Sequence, residues 1–204
     1  MTDYFALLKE PRRPWGDPDA LKQKFLALSA ESHPDRVHAA SEAERRAAQQ
    51  CYTDLNAAYN CLRDPKERLR HLLELERGAR PRQVENIPPD LMNLFLKISK
   101  VCRQADNFLA ERASVTSPLL KVGMFERSQQ LTDELRARQT QVNSQCDQLM
   151  SELKVLDAGW EANGNSESPS RTARLQRLEE LYRLFGYFAR WRGQLQERIV
   201  QLSF

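Results

Sequence analysis

The side chains able to do chemistry are few. The chain of 204 residues holds three histidines and four cysteines. His33 and His38 stand close together, but no third ligand follows at a recognisable spacing, so a zinc site is not supported. Cys51, Cys61, Cys102 and Cys146 form no Cys-x-x-Cys pair. Cys51 and Cys146 fall on the apolar faces of predicted helices, where a thiol behaves as a small hydrophobe. A structural role is favoured over disulfide or metal in a reducing compartment. There is no Gly-rich phosphate loop and no nucleophile beside a base. The sequence therefore implies no enzyme, no catalytic residue, no metal and no cofactor. What remains is His33-Pro34-Asp35, an imidazole and a carboxylate on either side of a proline.

Helices must hold that tripeptide. Pro34 disfavours the α conformation at His33, so a helix ends there. Leu21, Phe25 and Leu28 precede it at steps of four and three and form one apolar face. Asp17-Pro18-Asp19 opens this helix with a capping carboxylate and a proline at the first turn. Ser41 with Glu44 reads as a capping box for the next helix. There Ala48, Cys51, Tyr52, Leu55, Ala58, Tyr59 and Leu62 recur at three-four spacing. Two facing stripes and a short loop predict an antiparallel hairpin, from about 21 to 62, with His33 and Asp35 exposed at its tip.

The rest of the chain reads as helix too. Charged residues make up 29% and there are only 7 glycines, which favours helix over sheet. The helix after the hairpin ends near Glu76. Gly78-Ala79-Arg80-Pro81 and then Ile87-Pro88-Pro89 mark a linker over 78–89. Three long helices are predicted beyond it. The first covers about 90–113, with Leu91, Leu94, Phe95, Ile98, Val101, Ala105 and Phe108. The second covers about 118–161, with Leu131, Leu135, Val142, Cys146, Leu149, Leu153 and Leu156, interrupted by Arg138. The third covers about 170–202, with Leu175, Leu178, Leu181, Phe185, Phe188, Trp191 and Leu195. No single stripe can bury itself, so a three-helix antiparallel bundle over 90–204 follows.

Particular residues carry a family resemblance. Asp3-Tyr4-Phe5-Ala6-Leu7-Leu8, His33-Pro34-Asp35-Arg36, Leu55-Asn56-Ala57-Ala58-Tyr59 and Leu62-Arg63-Asp64-Pro65-Lys66-Glu67-Arg68 resemble a J-domain. The last stretch and the helical C-terminal half resemble the HscB family, the iron–sulfur co-chaperones. The resemblance implies an all-α protein, with a J-domain over 1–77, the linker over 78–89 and a client-binding bundle over 90–204. It also implies that His33, Pro34, Asp35 and Arg36, with Lys22 and Lys24 on the basic face, dock a DnaK/HscA-type chaperone and stimulate its ATPase. That basic face is thin, because Ala30 stands at a place often basic and Ser32 replaces the usual tyrosine. A weaker electrostatic dock is expected, since rim charges mainly set encounter rate and register.

In the same family the bundle holds the iron–sulfur scaffold protein IscU on an apolar patch with neighbouring acids. The corresponding residues here are Leu91, Met92, Phe95 and Leu96, with Tyr187 as an aromatic from the last helix. The acids are missing, since Asn93, Leu96 and Ser99 stand where the family favours glutamate. The contact is therefore expected to be mainly hydrophobic and weakly salt-sensitive. An alternative is a J-domain co-chaperone whose bundle serves a different client. The formal charge of +3 is too small for a nucleic-acid partner. No apolar run reaches the ~20 residues of a membrane span, and Met1-Thr2-Asp3-Tyr4 does not read as a signal peptide. A cytoplasmic protein, or a mature organelle form, is expected.

Overall fold

The computed structural model describes residues 2–32, 41–81, 87–160 and 169–203, and among them every regular element is a helix. Four helices come from the N-terminal part: α1 Tyr4–Leu7, α2 Pro18–Glu31, α3 Glu42–Arg63 and α4 Pro65–Arg77. Four follow: α5 Pro89–Ser114, α6 Pro118–Gly123, α7 Phe125–Ala158 and α8 Pro169–Leu202. No helix among the described residues is long and apolar enough to cross a membrane. No group of three or more His, Cys, Asp or Glu residues among them could hold a metal ion. All four cysteines are free thiols, and burial pushes the Cys61 thiol up to about 11, far from the reactive range.

Local chemistry sets the helix ends. Asp17 accepts from the amides of Asp19 and Ala20 at 3.0 and 2.8 Å, with Pro18 at the first turn. Ser41 and Glu44 form the reciprocal capping box. The Ser41 amide donates to the Glu44 carboxylate at 2.8 Å, and the Glu44 amide donates to Ser41 Oγ at 3.3 Å. Asp64 caps α4 through the Glu67 amide at 2.9 Å, and Gly78 closes it at φ 70°, a conformation costly for any side chain with a Cβ. The predicted helix over 118–161 is divided at Met124, between α6 and α7. Gly123 lies at that division, and glycine is a poor residue in a helix interior.

The described residues fall into two compact units. One comprises 1–83 and 151–183, and the other 84–150 and 184–204. The sequence reading placed 151–183 with the bundle. In the structure, this stretch packs on the N-terminal helices. Asp157, buried near the end of α7, accepts from the Trp15 amide at 3.1 Å and pairs with Arg13 at 3.0 Å. Trp160 Nε1 donates to the Arg12 carbonyl at 2.8 Å. Arg171 pairs with Glu76, and Arg77 with Glu179. Phe5, Leu8, Leu69, Leu72 and Leu73 are fully buried in this unit, each stabilising by about 1.5–3 kcal/mol relative to exposure.

In the second unit α5, α7 and α8 share one core built from Leu94, Ile98, Val101, Phe108, Leu135, Val142, Phe188, Trp191 and Leu195, among others. Arg112, near the end of α5, donates to the carbonyls of Gln201 and Leu202 at the end of α8, at 2.7 and 3.3 Å. Ser128, near the start of α7, donates to Leu202 at 3.1 Å. Hence α5 and α8 run the same way and α7 runs against both. This is the up-down-up bundle the three stripes predict.

The buried His71 ring gives the N-terminal unit a pH dependence. The Tyr4 amide donates to His71 Nε2 at 3.0 Å, and the ring stacks on Phe5 at a centroid distance of 5.7 Å. That hydrogen bond needs an unprotonated Nε2. Burial lowers the His71 pKa from its usual 6.5, and the charges of Asp3, Arg70, Glu74 and Arg12 partly cancel around it. Below 6.5 the unfolded chain takes up a proton that the folded chain refuses. Urea unfolding should therefore show full stability above that pH and a decline as pH falls through it. His71→Gln should flatten this part of the profile; an unchanged slope would rule out the ring as its source.

Candidate chaperone-docking and client-binding surfaces

The two helices that carry the tripeptide are fixed against each other along their length. The Phe25 and Tyr59 rings stack at 4.3 Å, and Cys51 Sγ lies 3.4 Å from Ser32 Oγ. Going from Phe25 to Ser32 along α2, the partner on α3 moves back from Tyr59 to Cys51, so the hairpin is antiparallel. Leu21, Leu55 and Ala58 close its core. Ser32 is the C-cap of α2 and Ser41 the N-cap of α3. His33, Pro34, Asp35 and Arg36 lie between these caps, outside the described residues.

The basic face is thinner than the sequence implies. Lys22 is exposed and has no ion pair among the described residues. Lys24 instead pairs with the Glu10 carboxylate at 2.5 Å and donates to the Lys9 carbonyl at 3.3 Å. It ties the turn after α1 to α2, which leaves Lys22 as the cation of α2 free for a partner. Sequence reasoning missed Leu26, 54% exposed, four residues after Lys22. The apolar stripe at 21, 25 and 28 leaves Leu26 pointing elsewhere. A large apolar side chain on the polar face was the available signal.

The proposed client face divides into two kinds of residue. Met92 and Leu96 are 40% and 56% exposed. Leu91 and Phe95 are half-buried against the bundle core, with Phe95 stacked on Trp191 at 6.2 Å. Tyr187 departs from its expected place. It is 8% exposed and belongs to the core, 6.1 Å from the Trp191 ring. Tyr187 precedes Phe188 and lies four before Trp191, on the buried side of α8, so it offers no aromatic surface to a client.

No family model matches the chain. A co-chaperone HscB homologue of Bordetella pertussis is 47% identical over 72 residues, 35% of this chain and 42% of that protein. The homologue of Chromobacterium violaceum is 40% identical over 73 residues, 36% of this chain and 42% of its own length. These matches span less than half the length of either relative. The fold extends the likeness. The chaperone HscB of Vibrio cholerae superposes with a TM-score of 0.61 at 21% identity, covering 98% of this chain and 99% of that one. The human co-chaperone HscB gives 0.59 at 17% identity, covering 98% and 81%. Over about a third of its length the chain is similar in sequence to HscB co-chaperones. Nearly all of it shares the fold of the two HscB structures.

The two lysines of α2 are separable by stability. Lys22→Ala removes an unpaired surface charge and should leave urea stability within about 0.5 kcal/mol. Lys24→Ala breaks the Glu10 pair and should cost up to about 1 kcal/mol. Equal effects of the two variants would mean that the Glu10 pair does not form in solution.

Proposed function

We propose that this chain is a J-domain co-chaperone of iron–sulfur cluster assembly. It stimulates the ATPase of a DnaK/HscA-type chaperone through His33, Pro34, Asp35 and Arg36 and delivers an IscU-like scaffold protein bound by the C-terminal bundle. One observation carries this reading. His33-Pro34-Asp35-Arg36 joins two capped, antiparallel helices in a chain with an HscB-like fold. Lys22 and Leu26, exposed on α2, serve as rim contacts. Client and chaperone sites on one chain raise the effective concentration of client at the ATPase.

A second client remains in view for one reason. Asn93, Leu96 and Ser99 occupy places where the family favours acids. The bundle would then present a different protein to the same ATPase.

His33→Gln should abolish stimulation in single-turnover ATP hydrolysis while leaving circular dichroism unchanged. Full stimulation by that variant would end the J-domain reading. For the client, Leu91 and Phe95 are poor positions to truncate, because both pack on the core and their loss destabilises the bundle. Met92→Ala/Leu96→Ala removes exposed surface instead. Calorimetric titration of the host's own scaffold protein should show binding to the wild type and at least a tenfold weaker affinity, about 1.4 kcal/mol, for the double variant. Equal affinity would misplace the site, and no binding by the wild type would replace the scaffold with another client.

A further inference from the structure

From Leu91 to Ala105, α5 carries Lys97, Lys100 and Arg103 and no carboxylate. All three cations are exposed, and none has an ion pair among the described residues. The flanking acids do not neutralise them. Asp106 is committed to Arg198 at 2.8 Å, and Asp90, in the first turn, lines one groove with Asn93, Lys97, Gln141 and Gln145 but forms no ion pair with Lys97, and it lies away from Lys100 and Arg103. Met92, Leu96, Lys100 and Arg103 follow at steps of four, four and three and so share one outward face. The exposed apolar pair therefore continues directly into a row of unpaired positive charge.

Like charges three residues apart on a helix repel by a few tenths of a kcal/mol each. No ion pair among the described residues offsets that repulsion here. We infer that this face docks a protein segment that presents carboxylates around an apolar centre, an inference that rests on the reading of the bundle as a client-binding module. Its chemistry is opposite to that expected from the resemblance, in which acids on the first bundle helix meet a basic client. It also replaces the expectation of a weakly salt-sensitive contact, because exposed rim charges at Lys100 and Arg103 add to the burial of Met92 and Leu96.

Other polyanions fit less well. A nucleic-acid backbone would pair with the cations but leave Met92 and Leu96 uncovered. A membrane-surface helix needs a broad apolar face free for lipid. On α5 that stripe, Leu94, Ile98, Val101, Ala105 and Phe108, is already buried in the bundle core.

The test uses the full chain, isotope-labelled for amide NMR, and two probe peptides with the same leucine and phenylalanine positions. One is filled with glutamate and the other with lysine. The glutamate peptide should shift amides over 92–103 and bind about tenfold more tightly than the lysine peptide, a difference of about 1.4 kcal/mol. Lys100→Glu/Arg103→Glu should reverse that preference. Met92→Ala/Leu96→Ala should weaken both peptides. Equal or tighter binding of the lysine peptide, shifts elsewhere in the chain, or no binding of either would overturn the inference. So would anionic phospholipid vesicles shifting the same amides when the glutamate peptide does not. Titration of the host scaffold separates this from the function proposed above. A scaffold that binds the charge-reversed variant more tightly keeps the scaffold reading and contradicts an acidic partner. A scaffold that fails to bind, beside a clear glutamate preference, does the reverse.

Discussion

The N-terminal unit depends on one buried guanidinium. Arg68 of α4 is 3% exposed and donates to the carbonyls of Arg13, Trp15 and Leu62 at 3.0, 3.3 and 3.4 Å. Its plane lies over the Phe5 ring at 5.1 Å. Burial lowers its pKa, while Glu10 at 4.0 Å and the charge of Asp157 favour the cation. Gly16 completes the fit. A Cβ there would sit 2.7 Å from the guanidinium nitrogens, so any other residue would displace Arg68. The segment between α1 and α2 has no helix of its own. Arg68 gives its carbonyls the donors that water would otherwise supply, and α2 is set in place as a result.

Around that anchor, charges tie distant parts of the chain together. Lys24 pairs with Glu10 on the same connecting segment. Asp157 takes the Trp15 amide and the Arg13 guanidinium. Removing the Asp157 carboxylate would leave a part-buried amide and a guanidinium without their partner, which costs more than an exposed surface pair contributes. The helices on either side of His33-Pro34-Asp35 belong to a unit in which Arg13, Lys24 and Arg68 are held by partners within the same unit. Lys22 and Leu26 on α2 are left facing solvent.

What the sequence disclosed, and what it hid, follows from the range of each interaction. The caps at Asp17 and Ser41 and the helix break at Gly78 are settled within four residues, and these three are legible from the letters alone. The stripes of α5, α7 and α8 are legible because helical periodicity names a buried face. Periodicity does not name the neighbour. The commitment of Lys24 to Glu10 depends on where the turn after α1 lands. The association of residues 151–183 with the N-terminal helices depends on Asp157 and Trp160 meeting residues more than a hundred positions earlier. The letters leave the register of α8 open and so allow Tyr187 on the surface, whereas its burial beside Trp191 settles that register. On α5, the missing acids were legible, whereas the absence of partners for Lys97, Lys100 and Arg103 required knowing what each neighbouring helix presents.

The central claim is that one chain couples a J-domain to a client-binding bundle. Single-turnover ATP hydrolysis by the host's DnaK-type chaperone tests it most directly, measured with the intact chain alone, the scaffold protein alone, and both together. Coupling on one chain predicts an acceleration with both that exceeds the sum of the separate effects. An acceleration no greater than that sum would contradict it.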